Sequence, residues 1–126
     1  MVIIHGFINY RGADKKENYP TIEAFFNEIS SLEYLRLNRD NVNGETLISI
    51  QGSSNHYGSL ENDLIIRIEA LSKLVDKETY ALLYIYDSEN FLQQDNWQVY
   101  VLNHNKLSIN KDTFISPYNL KISVNL

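Results

Sequence analysis

The chain has 126 residues, no cysteine, and 16 acidic against 11 basic side chains, for a formal net charge of −5. Disulfides, thiolate metal sites and a thiol nucleophile are therefore excluded, and this length with 44% hydrophobic residues predicts a single domain, residues 1–126, with its own core. The negative balance repels phosphate backbones, so no direct nucleic-acid contact is expected, and a basic protein partner is favoured instead.

Val2–Tyr10 is rich in β-branched and aromatic residues and predicts a first strand, broken by RGADKKEN. The opening stretch MVIIHGFINYRG has a short apolar run with no basic residues ahead of it, which is not the pattern of a signal peptide. A helix is expected from about Asn18, with Pro20 in its first turn, where a missing N–H costs nothing. Ile22, Phe25, Phe26, Ile29 and Leu32 then form one apolar stripe. The helix should stop before NRDNVNG, where Asn43–Gly44 signals a turn. A second strand follows, in which Leu47, Ser49 and Gln51 alternate with Thr46, Ile48 and Ile50.

Leu60, Leu64, Ile65, Ile68, Leu71, Leu74 and Val75 mark a second amphipathic helix. TYALLYIYD is nearly all apolar and aromatic and predicts a central strand buried on both faces, with Tyr84 and Tyr86 beneath a helix or along a groove. In NWQVYVL, Trp97, Val99 and Val101 share one face and Gln98, Tyr100 and Leu102 the other. NHN turns into a short strand at Lys106–Leu107, and KDTFISPYNLKISVNL has room for one more after its Ser–Pro break. The order β-α-β-α-β-β plus a short C-terminal strand predicts an α+β fold, a mostly antiparallel sheet with two helices packed on one face. No run approaches the roughly 18 apolar residues of a membrane span, so no membrane contact and a cytoplasmic address are expected.

The densest cluster of reactive side chains is QGSSNHYGSLEND, Gln51 to Asp63. A serine-hydrolase elbow requires Gly-x-Ser-x-Gly between strand and helix, and no serine here has that flanking. His56, Glu61 and Asp63 do not share a helical face as zinc ligands do, and no metal or other cofactor is expected. Gly58 frees the backbone, Ser59 suits an N-cap, and Glu61 in the first turn suits the helix dipole. Asn55, His56 and Tyr57 are then a hydrogen-bonded turn or an exposed recognition patch. The stretch Asp87–Asp95 lacks glycine and calcium-loop spacing. Asp87, Glu89 and Asp95 beside Phe91 would instead make a charged rim around an apolar anchor, a protein-binding surface. No catalytic residue is assigned.

His5–Gly6–Phe7, Gly52 with NHYGS, LLYIYDSEN, NWQVYVL and KDTFISP occur in that order over nearly the whole chain. Together they resemble the immunity protein 7 family of bacterial polymorphic toxin systems. The resemblance implies a small cytoplasmic protein that is not an enzyme. Such a protein binds a cognate bacterial toxin domain, in several systems a nuclease, and so protects the producing cell. It places Asn55, His56 and Gly58 on the family's Asn-His loop and Asp87 on the acid after the central strand. Asp112, Phe114, Ser116 and Pro117 fall on the closing motif. Phe7 stands where the family tends to have tryptophan, and Tyr57 where a basic residue is common.

The expected toxin-binding residues are Asn55, His56, Tyr57, Asp87, Glu89, Phe91 and Asp95. His5, Gly6, Phe7, Gly58, Asp112, Phe114, Ser116 and Pro117 are expected to maintain the fold. A small hydrolase using His56 with carboxylate help, or a binding module for another intracellular protein, are the alternatives. Nothing in the residues fixes the oligomeric state.

Overall fold

The computed structural model describes residues 1–12, 15–55, 59–88 and 96–116. Strand β1 (Val2–Tyr10) leads through a 3-10 turn (Lys16–Asn18) into helix α1 (Tyr19–Ser30). Strands β2 (Leu35–Val42) and β3 (Glu45–Ser54) form a hairpin, and helix α2 (Ser59–Ser72) follows. Strands β4 (Tyr80–Asp87), β5 (Gln98–Asn103) and β6 (Lys106–Lys111) complete a six-stranded sheet of order β2-β3-β1-β4-β5-β6. Every neighbouring pair is antiparallel. The fold is α+β, as the pattern predicts.

The element order gains one strand. The first helix, expected to stop before NRDNVNG, ends at Ser30, and residues 35–42, where no strand was expected, form β2. Period-two alternation places Leu35, Leu37 and Arg39 on the helix-covered face. Arg39 stands where an apolar residue would have announced a strand. It substitutes by laying its guanidinium over the Phe26 ring, 5.1 Å from the centroid, and pairing with Glu23 at 2.6 Å. Asn43 and Gly44, with φ of 50° and 79°, make the tight turn into β3.

The core lies between the helices and one face of the sheet. Ile4 and Ile8 of β1, Ile48 and Ile50 of β3, Leu83 and Ile85 of β4 and Leu102 of β5 meet Ile22, Phe25 and Ile29 of α1 and Leu64 and Ile68 of α2. Each such side chain contributes about 1.5–3 kcal/mol when fully buried. Leu74 does not join them. It follows the end of α2 and is 68% exposed, because the chain turns there so that Val75 packs instead. Asn105, at the β5–β6 turn, donates to the carbonyls of Ser72 (2.9 Å) and Val75 (2.8 Å), closing the orphan end of α2.

Gly6 sits on this covered face between Ile50 and Leu83. A Cβ there would lie 2.3 Å from the Leu82 carbonyl oxygen and 2.5 Å from Leu83 Cδ2. The missing side chain is the space that Leu83 fills.

Strand β4 is central but not sealed on both sides. Ala81, Leu83 and Ile85 point into the core, whereas Tyr80 is exposed and Leu82 and Tyr84 are half-buried on the opposite face. Among the described residues, no helix covers Tyr84 and Tyr86. They gather around Trp97, with ring centroids 6.5 and 5.5 Å away, and His5 joins at 6.1 Å.

Candidate functional site

Strand register decides which loops can act together. Val2 stands opposite Ser54 on one side and Asp87 on the other. Gly52 faces Leu35, and Gln98 faces both Ile85 and Lys111. The starts of β1, β2 and β5 and the ends of β3, β4 and β6 therefore share one end of the sheet, here termed the loop end. Asn55 is exposed there, just beyond β3, and half-buried Asp87 closes β4. The Ser88 N–H donates to the Met1 carbonyl at 3.0 Å and extends that pairing. His56, Tyr57, Gly58, Glu89, Phe91, Asp95 and Pro117 lie outside the described residues.

The closing motif folds back onto the same end. Asp112 is only 3% exposed, and its carboxylate accepts the backbone N–H groups of Phe114 (3.0 Å) and Ile115 (2.8 Å). Burial pushes this carboxyl up, but hydrogen bonds from Phe114, Ile115 and Ser116 outweigh it and hold the group below its ordinary value. Two further bonds clamp the turn to the sheet. The Asp112 N–H donates to the Trp97 carbonyl at 3.2 Å, and the Trp97 N–H donates to Ser116 Oγ at 2.7 Å. Phe114 departs from the structural role expected of it. Its ring is 87% exposed, and the turn is held by Asp112 and Ser116 without it.

Helix α2 takes in Ser59, expected as its N-cap, as a helical residue, and Glu61 lies in its first turn, as expected. Its carboxylate reaches across to β5, where the Tyr100 hydroxyl donates to it at 2.8 Å. Burial raises the Glu61 carboxyl, the Tyr100 bond opposes this, and the charge of Asp87 raises it further. Burial and the Glu61 carboxylate together push the Tyr100 hydroxyl up.

The sheet face away from the helices carries residues that the sequence pattern did not single out for binding. A shallow groove of about 390 Å³ at the loop end is lined by Met1, Ile3, His5, Tyr34, Arg36, Gln51, Gly52 and Ser53. Tyr34 is exposed with a φ of 68°, a left-handed conformation that is costly for a bulky residue. Farther along, Phe7 is 41% exposed and meets Tyr80 edge-on at 6.1 Å. His5 and Phe7 thus sit at the surface, and Gly6 alone of that motif faces the core. A local signal for Tyr34 is hard to find, because the strand it introduces was itself hidden.

The histidines are dispersed. His5 faces the groove, whose lining among the described residues includes Ser53 and Arg36, and His104 lies at the β5–β6 turn at the opposite end of the sheet. Among the described residues, no group of three or more His, Asp or Glu side chains is placed to hold a metal ion. Nor, among them, is any helix long and apolar enough to cross a membrane. A family model described as Immunity protein 7 matches residues 1–123. No curated protein and no solved structure matches the chain.

Proposed function

The chain belongs to the immunity protein 7 family, and from that premise we propose that it neutralises a cognate toxin domain by tight one-to-one binding in the cytoplasm. It acts by occupying the toxin's surface and transforms nothing itself. The toxin is a nuclease in this reading, because an inhibitor carrying a net charge of −5 complements a basic, phosphate-binding cleft. The observation that carries the choice of surface is the position of Val2 opposite both Ser54 and Asp87. That register sets Asn55 and Asp87 on either side of β1 at the loop end, where a protein partner can engage both.

The hydrolase alternative rests on His56, which lies outside the described residues. The test is to purify the toxin domain encoded beside this chain and titrate one against the other. A one-to-one complex is expected, together with rescue of cells expressing the toxin. Association should slow as salt rises, because steering between opposite charges is screened over about 8–10 Å at physiological ionic strength. Absence of both complex and protection would refute the reading.

A further inference from the structure

An exposed phenylalanine on a flexible loop has little meaning, since the loop can fold it away. Phe114 is different, because its backbone is fixed. Asp112, itself buried, receives the N–H groups of Phe114 and Ile115, while the Trp97 carbonyl accepts the Asp112 N–H and the Trp97 N–H donates to Ser116 Oγ. Trp97 is in turn packed against Tyr86 and His5. Two hydrogen bonds thus brace the five-residue turn internally and two more tie it to Trp97 at the edge of β5, yet Phe114 stays 87% and Ile115 50% exposed. A turn held this firmly, with its two apolar side chains left in water, is organised for something outside the chain.

Building on the immunity reading, we propose that the Asp112–Ser116 turn is a preorganised anchor whose Phe114 ring, flanked by Ile115, inserts into an apolar pocket on the toxin domain. The occupant's chemistry follows from the rim. Half-buried Asp87 closes β4 at the same end, Glu61 lies within reach of its field, and the chain carries a net charge of −5. The pocket that accepts Phe114 is therefore bordered by lysine or arginine. An aromatic anchor within a charged rim is the usual anatomy of a strong interface, in which a few buried residues dominate the binding energy. The fixed turn adds to this by removing the ordering cost a mobile loop would incur.

The experiment measures binding of the purified toxin domain encoded by the neighbouring gene to wild type, Phe114→Ala, Phe114→Leu and Asp112→Asn, alongside melting temperature and sedimentation of each. Phe114→Ala should melt within about 2 °C of wild type yet weaken binding about 30-fold or more, mostly through faster dissociation. Phe114→Leu should recover most of that loss. Asp112→Asn, with Asp112 as a positioning residue, should weaken binding while Phe114 is present and add little once Phe114 is alanine.

Wild-type binding with Phe114→Ala within about threefold of it overturns the anchor and leaves the immunity reading standing. No wild-type binding removes the immunity reading, and the anchor with it. A dimer of this chain that Phe114→Ala dissolves also overturns the proposal, because it assigns the ring to a second copy.

Discussion

The two faces of the sheet are made by the same strands yet behave as different materials. On the helix-covered face, alternate residues of β1, β3 and β4 are mostly aliphatic and almost wholly buried. On the opposite face the intervening residues are mostly aromatic or polar, and Phe7, Tyr80 and Leu47 remain exposed. The period-two pleat allows one strand to serve both ends, because core-facing and outward-facing residues never compete for the same position. The difference teaches where changes can be made: the covered face tolerates little, whereas exposed positions on the open face can change without emptying the core.

The sharpest way to break this comparison is to empty each face in turn. Ile50→Ala should cost about 2–5 kcal/mol by urea unfolding. Leu47→Ala, three residues earlier on the open side of the same strand, should cost under about 1 kcal/mol. Equal losses would show that the open face is a second core. Adding atoms gives the next largest effect. Gly6→Ala forces a carbon against a backbone oxygen and should lose about 3 kcal/mol, at the upper end of overpacking, whereas Phe7→Ala beside it should lose far less. A smaller effect is expected at the far end, where Gly44→Ala places a side chain at a φ of 79° and should cost about 1–2 kcal/mol.

The smallest effects concern pH, and they have opposite signs at two carboxylates near the loop end. Glu61 is raised in the folded chain above its ordinary 4.5, chiefly by burial, so the fold binds its proton more tightly than the unfolded chain does. Its contribution is full below that value and is lost as pH rises through the folded pKa. Asp112 is lowered below its ordinary 3.8, so its contribution is full above that value and is lost as pH falls through the folded pKa. Melting curves from pH 3 to 8 should therefore show a shallow decline above about pH 4.5 that Glu61→Gln removes. They should also show an acid limb that Asp112→Asn flattens.

Much of the covered face was legible in the sequence. Val2–Tyr10, the Ile22–Ile29 stripe and the Leu64–Ile68–Leu71 stripe announce their elements because packing against one core imposes a period on the chain. Strand β2 was hidden because Arg39 holds a core-side position by stacking and pairing instead of by being apolar. Burial of β4 was overestimated for a related reason. A run such as TYALLYIYD looks doubly buried whether its tyrosines meet a helix or one another. At the loop end the sequence supplied chemistry and order but no register, and only the pairing of Val2 sets Asn55 and Asp87 on one edge. The exposure of Phe114 was illegible, since an aromatic residue between Asp112 and Ser116 reads as packing until the hydrogen bonds of the turn are known.

The most direct test of the central claim, that this chain works through its loop end, is hydrogen–deuterium exchange on the purified complex with the toxin domain. Binding should slow exchange at residues 53–55, 87–88 and 112–116 and leave the turns at Asn43–Gly44 and His104–Asn105, at the opposite end of the sheet, unchanged. Protection centred on those two turns or on the outer surfaces of α1 and α2, with the loop end exchanging as in the free protein, would contradict it.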